Sequence, residues 1–242
     1  MANKKYFITG VSDGLGREFC KILLARGDTV YGVSRRQCEM PAAGGRFIWR
    51  YCDVSNPADI KEVIAHQNSI GFMPDVVILN AAVYTEESPE FLFEDYRKSF
   101  GVNAEGALRW VEAYLPGFRK RGRGHFVYIS SISSIFPPPY KPAYSASKSY
   151  VSTAFASLRK RYAGSGILFT TIYPGLIGTA MSMHLKAPKF FRCPVEKAAS
   201  KIIKAVLRGK KSYIFPVRNL LLNILLSLLP DRLFLRLYEK RK

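Results

Sequence analysis

Histidine and cysteine are scarce in this chain of 242 residues, with three of the first and four of the second. The cysteines (Cys20, Cys38, Cys52 and Cys193) are scattered, and no two stand in CxxC spacing. That scarcity argues against a disulfide framework and against a zinc site, so no metal ligand is assigned. Acids are also few, 18 against 37 Lys and Arg, for a net charge of +19. The opening MANKKYFITG enters a strand-like run almost at once, without the apolar, small-residue leader of a secreted or imported chain. A reducing cytoplasm is the expectation. No internal repeat, low-complexity tract or linker divides residues 1–216.

What is present is alternation. KKYFITG, TVYGVS, RFIWRYCDV, PDVVILN, GHFVYIS, GILFTTIYP and KKSYIF read as strands. Helical patterns near 15–26, 57–66, 92–118, 142–163 and 194–208 separate them. Parallel neighbours need crossovers, so repeated β-then-α order predicts an α/β fold of Rossmann type: a doubly wound parallel sheet, in one domain over 1–216. At 48% hydrophobic content such a domain can bury a sizeable core.

The first strand runs into TGVSDGLG, residues 9–16, which opens the first helix. Glycines 10, 14 and 16 permit a tight turn and a close backbone approach to a pyrophosphate, which the helix N-terminus also attracts. A plain strand-to-helix turn is the alternative. At the end of the second strand an acid would bind the adenosine ribose hydroxyls, whereas arginine would accept a 2′-phosphate. This chain reads VSRRQ, with Ser34, Arg35 and Arg36 and no carboxylate. The reading is NADP(H) in preference to NAD(H), with two solvated surface arginines as the alternative. Asp13, inside the phosphate loop, counts against a nearby phosphate.

In PAYSASKSYV, Tyr144 and Lys148 stand four apart in a helical pattern, hence as neighbours on one face. A free tyrosine titrates near 10, and an adjacent cation lowers that value, so the pair suits proton transfer to or from a carbonyl oxygen. The small residues 145–147 are expected to leave room above the helix.

TGVSDGLG, LNAA (79–82), Asn103 in GVNAEG, Ser131 in YISS, the YSASK pair and YPGLIGT (173–179) occur in this order. Together they resemble the short-chain dehydrogenase/reductase family over residues 4–215. The resemblance implies that Ser131 binds the substrate oxygen and Tyr144 is the acid/base. Lys148 would also hold the nicotinamide ribose, and Asn103 a relay water. It implies cofactor contacts from Gly10, Ser12, Asp13, Gly14, Leu15 and Gly16 in the loop, and from Ser34, Arg35 and Arg36. Asp53, with Val54 beside it, would meet the adenine amine; Asp53 reads equally as a turn residue or helix cap. Asn80, Ala81 and Ala82 would line the adenosine side, and Pro174, Gly175, Ile177 and Thr179 the nicotinamide amide. The family usually has glycine where Ala82 stands, which narrows the groove by one methyl. Ser130, Ser133 and Ser134 read as structural.

Loops 84–91, 133–142 and 179–191 offer Tyr84, Phe136, Tyr140, Met181, Met183, Leu185, Phe190 and Phe191, a wall suited to an apolar carbonyl or alcohol substrate. The segment 217–242 departs in character. Residues 220–229 are apolar except Asn223 and Ser227, which with Asn219 form a polar stripe at helical spacing. About ten residues cannot cross a bilayer, which takes roughly twenty. Pro230 ends this helix, and a second short one would carry Leu233, Phe234, Leu237 and Tyr238, with Arg232, Arg236, Lys240 and Lys242 elsewhere. Residues 186–242 hold fifteen Lys or Arg against three acids. Amphipathic helices of this kind suit the surface of an anionic membrane, as in membrane-associated members of the family. Folding back onto the domain, or onto a partner in a homodimer, is the alternative, and nucleic acid is not expected.

Overall fold

The computed structural model describes residues 3–41, 44–84, 87, 90–182, 189–230 and 232–233. Seven strands form one sheet: β1 (Lys5–Thr9), β2 (Thr29–Ser34), β3 (Arg46–Tyr51), β4 (Val76–Leu79), β5 (Gly124–Ile129), β6 (Ile167–Pro174) and, after a two-stranded pairing of β7 (Ile177–Gly178) with β8 (Cys193–Pro194), β9 (Ser212–Phe215). The order across the sheet is β3-β2-β1-β4-β5-β6-β9, and every pairing is parallel. Central strands are buried on both faces, as in VVIL of β4, so they read as apolar runs and not as alternation.

Helix α1 (Gly14–Ala25) packs with α6 (Val195–Leu207) on one face of the sheet. The other face is covered by α2 (Pro57–Ser69), α4 (Gly106–Arg121) and α5 (Pro142–Arg161), around Trp110, Tyr114, Phe118 and Phe155. Helix α3 (Phe93–Phe100) joins α4 through a π-helical turn over Gly101–Glu105, so the single helix expected over 92–118 is interrupted there. Such widened turns recur at functional sites, and this one carries Asn103. Helix α7 (Val217–Ser227) closes the described tail, and Pro230 follows it. Phe234, Leu237, Tyr238 and the basic residues from 236 onward lie outside the described residues.

Strand order reverses between β1 and β4, and ligands in open parallel sheets bind at such a reversal, beyond the carboxyl ends of the strands. Asn80 braces that point. Its Nδ2 donates to the carbonyls of Thr9 and Gly10 at 3.0 Å each, while Thr9 Oγ1 accepts from the backbone N–H of Asn80 and Ala81.

Candidate active site

One cavity of about 1400 Å³ runs along the carboxyl ends of the strands. That exceeds the roughly 300–1,000 Å³ of a small-ligand pocket and suits a dinucleotide with a substrate beside it. Gly10, Ser12, Asp13, Gly14 and Leu15 line one end with Ser34, Arg35, Arg36, Asp53 and Val54. Asn80, Ala81 and Ala82 line its middle, and Ser131, Tyr144, Lys148, Pro174, Gly175, Ile177 and Thr179 the other end. Gly16 and Asn103 lie behind the wall.

The glycine loop is built for close approach. Gly10 has φ +74°, and a Cβ there would stand 2.9 Å from Ala81 Cα. Gly14 has φ +56°, a conformation that side chains disfavour. At Gly16 a Cβ would run into the Gly10 carbonyl, so this glycine serves the packing of helix against loop. Asp13 caps α1, its Oδ1 accepting from Gly14 N at 2.6 Å, and its other oxygen lies 3.8 Å from Arg36. Its charge is therefore engaged by the helix end and by Arg36.

Arg35 stands 3.8 Å from Asp53. Both arginine pairs are largely exposed, and such pairs contribute only about 0–1 kcal/mol, so a ligand anion can draw the arginines away at little cost. Ser34 Oγ donates to Arg36 O and accepts from Trp49 Nε1, which shapes the turn that presents the two arginines. For Asp53, burial opposes ionisation, but hydrogen bonds from Ser55 and the Arg35 charge outweigh it and lower the pKa. Asp53 thus makes the turn, and Asn56 caps α2.

At the far end, Ser131 stands two residues beyond β5, capping a short 3-10 turn, and Tyr144 faces it from α5. The sequence reading expected Lys148 to lower the Tyr144 phenol, but in the free protein burial pushes it up to about 12, against a hydrogen bond with the Ser131 side chain that lowers it. Lys148 is buried to 1% exposure, its Nζ donating to Ile129 O at 2.8 Å and lying 4.9 Å from the Tyr128 ring centre. Burial lowers its pKa to about 7. Asn103 is fully committed through its side chain: Oδ1 accepts from Val83 N at 2.8 Å, and Nδ2 donates to Val83 O and Ser147 Oγ. Its carbonyl accepts from Tyr128 Oη. A water held by Asn103 therefore meets the backbone carbonyl and not the amide.

The small residues between Tyr144 and Lys148 are a correction to the sequence reading. Ser145 and Ser147 are buried against the protein, and Ser147 Oγ donates to Tyr144 O. They let α5 pack closely against the protein and do not line the cavity, Ser147 being tied to Asn103 Nδ2 and the Tyr144 carbonyl. Ser130 and Ser134 bond each other, and Ser130 pairs with Ser152, as structural serines do.

Tyr84, Phe136, Tyr140, Met181 and Phe191 line the substrate end. Phe190 points outward, and Met183 and Leu185 lie outside the described residues. Three further contributors were not read as site residues from the sequence. Glu87 caps α5 with both oxygens, accepting from Ala143 N and Tyr144 N at 3.0 and 3.1 Å. Lys141 lies among tyrosines at the cavity wall. Asn219 on α7 donates to Phe191 O and fits against Gly175, where a Cβ would stand 2.7 Å from its Nδ2.

A doubly wound parallel sheet with a glycine loop at its switch point, and a Ser–Tyr–Lys cluster in the same cleft, defines a nucleotide-binding α/β enzyme. The family model of the short chain dehydrogenases matches residues 4–189. An uncharacterized oxidoreductase of Myxococcus xanthus is 30% identical over 97% of this chain and 96% of its own. An NADP-dependent 3-hydroxy acid dehydrogenase of Salmonella typhi is 29% identical over 71% of each chain. A short-chain dehydrogenase of Sphingobium yanoikuyae, solved in complex with NADPH, superposes with a TM-score of 0.79 at 21% identity, over 88% of each chain. This chain belongs to the short-chain dehydrogenase family, oxidoreductases acting on CH–OH donors.

Proposed function

We propose that the protein is an NADP(H)-dependent reductase that interconverts a carbonyl and a secondary alcohol on a largely apolar substrate. The carrying observation is that one cavity holds the phosphate loop and two arginines at one end and the Ser131–Tyr144 pair at the other. The residues fit the dinucleotide: the Gly10 cradle admits no side chain, and Arg35 and Arg36 are held only by weak pairs. NADPH, when bound, supplies hydride to the carbonyl carbon.

Ser131 donates to the substrate oxygen and holds it against Tyr144. Tyr144, protonated through the neutral range in the free protein, delivers its proton to that oxygen as negative charge develops there. Lys148 supplies positive charge beneath the phenol and, from its place on α5, binds the nicotinamide ribose. Proton replenishment runs through Lys148 and the Asn103 carbonyl. Cofactor choice is tested by titrating NADPH and NADH separately, followed by a ketone panel ordered by chain length and polarity. Tighter binding of NADH than of NADPH contradicts the reading. Exchanging both Arg35 and Arg36 for alanine is expected to weaken NADPH by about 150-fold or more while leaving NADH within about twofold, since each charge-assisted bond to phosphate contributes about 1.5–3 kcal/mol.

A second reading concerns α7. The first half of its polar stripe turns inward: Asn219 is buried and Asn223 donates to Asn219 O, while Ser227 is exposed. Leu221, Leu225 and Leu228 turn outward, exposed at 61%, 63% and 76%, while Leu226 is buried toward the domain. No acid occurs from residue 197 to 230, where seven Lys or Arg do. No described helix is long and apolar enough to cross a membrane. An apolar face beside cations supports peripheral docking on an anionic bilayer. The parent is expected to sediment with phosphatidylcholine vesicles containing about 30% phosphatidylglycerol, and the Leu221→Asp/Leu225→Asp variant to stay in solution. A parent dimer that this variant converts to monomer would instead assign the face to a second copy.

A further inference from the structure

The cavity wall above Tyr144 holds a cation that the reaction scheme leaves without a task. Lys141, at the start of α5, is partly exposed and lines the cavity. Its Nζ lies 5.3, 5.5 and 5.7 Å from the ring centres of Tyr84, Tyr140 and Tyr144. Tyr84 in turn meets the Tyr144 ring edge-on at 5.6 Å. Three aromatic faces hold the ammonium by cation–π attraction, but they leave its N–H groups without acceptors. Among the described residues the ammonium makes no hydrogen bond and no ion pair within 4 Å.

The nearest carboxylate chemistry is already spent. Glu87 attracts Lys141 electrostatically, yet both its oxygens accept backbone N–H groups at the α5 N-terminus. Glu90 and Asp95 line the same end of the cavity. Burial lowers the Lys141 pKa to about 8, with Glu87 opposing that shift, so the group is charged at neutral pH at a cost in hydration. The other cavity cations are already engaged: Arg35 and Arg36 stand at the opposite end, and Lys148 donates to Ile129 O.

We propose that Lys141 is a substrate-anion subsite, taking the carboxylate of an oxo acid whose carbonyl lies one or two carbons away, at Tyr144. The tyrosine cage fixes the ammonium beside the proton donor, so charge pairing at Lys141 sets the carbonyl in register with Ser131 and Tyr144. Phe136, Leu222 and Leu226 on the same cavity leave an apolar bed for the remaining chain. The substrate class that results is an amphiphilic 3-oxo acid, with an anionic head and an alkyl tail. This deepens the reductase reading and rests on it for the placement of the carbonyl.

The test pairs 3-oxooctanoate with its uncharged methyl ester and compares the parent with Lys141→Met. Calorimetry in the presence of NADP⁺ reads binding without turnover, and steady-state kinetics read KM and kcat. In the variant the acid is expected to lose about tenfold or more in Kd and KM with kcat within about threefold, while the ester stays within about twofold. Lys141→Arg should restore the acid. Equal losses for acid and ester, or no loss for either, overturn the proposal; should Lys141→Met misfold, Lys141→Gln carries the same comparison. Acid-selective binding without turnover would keep the subsite and sink only the reductase reading.

Discussion

Replacing Tyr144 by phenylalanine is expected to lower kcat for ketone reduction by about 10³-fold or more, while NADPH binds within about threefold of the parent. General acid catalysis contributes about 10²–10⁴-fold in enzymes, and phenylalanine removes the O–H that would face the substrate oxygen beside Ser131. The variant keeps the aromatic ring, so the edge-on contact with Tyr84 and the cage around Lys141 persist. It loses one hydrogen bond with Ser131, which costs roughly 0.5–1.5 kcal/mol of stability. The phosphate loop and the two arginines are untouched at the far end of the cavity, which is why cofactor affinity should hold. The free protein keeps this phenol protonated up to about pH 12, so proton delivery is available throughout the neutral range. Alcohol oxidation needs the phenolate and should therefore gain with rising pH. Single-turnover reduction with preloaded NADPH separates chemistry from binding; a parental rate in the variant removes Tyr144 from proton transfer.

The sheet was legible because central parallel strands have no polar face to disguise them. VVIL and the buried part of KYFIT announce themselves as runs, and turn residues separate them from helices. The phosphate loop was legible because glycine is the residue that tolerates the Gly10 and Gly14 backbones, and Tyr144 and Lys148 because helical spacing is short-range geometry. What escaped depends on approach in three dimensions. Glu87 meets the α5 N-terminus from 56 residues away, through a loop whose path no local pattern fixes. The π-helical turn at Asn103 interrupts the helix through a widened hydrogen-bond pattern that no residue type in GVNAE announces. The Asn219–Asn223 stripe is the most instructive case. Polar residues on an otherwise apolar helix do not say which way they turn, and here Asn219 and Asn223 face the protein, their amide groups donating to Phe191 O and to the helix's own carbonyl. Hydrophobic periodicity locates a helix face but not what the fold sets against it.

Lys148→Met is expected to lower kcat by about 10²–10³-fold, and its effect on stability should carry a pH signature that a merely structural lysine would lack. The ammonium is buried at 1% exposure and donates to Ile129 O, so methionine fills its volume and leaves that carbonyl without a partner. Two effects then compete in the cofactor-free protein: the lost hydrogen bond, and relief from burying a charge. Burial sets the folded pKa near 7, below the ordinary 10.5. Below pH 7 the lysine is charged in both folded and unfolded chains, so the parent bears the full cost of the buried charge there. Between about 7 and 10.5 the unfolded chain binds the extra proton, and the parent gains stability as pH rises. Methionine has no such dependence. The melting temperature of the variant relative to the parent should therefore be highest near pH 6 and decline steadily toward pH 10. A difference that stays flat across this window would place the lysine's proton elsewhere and remove burial as the cause of its lowered pKa.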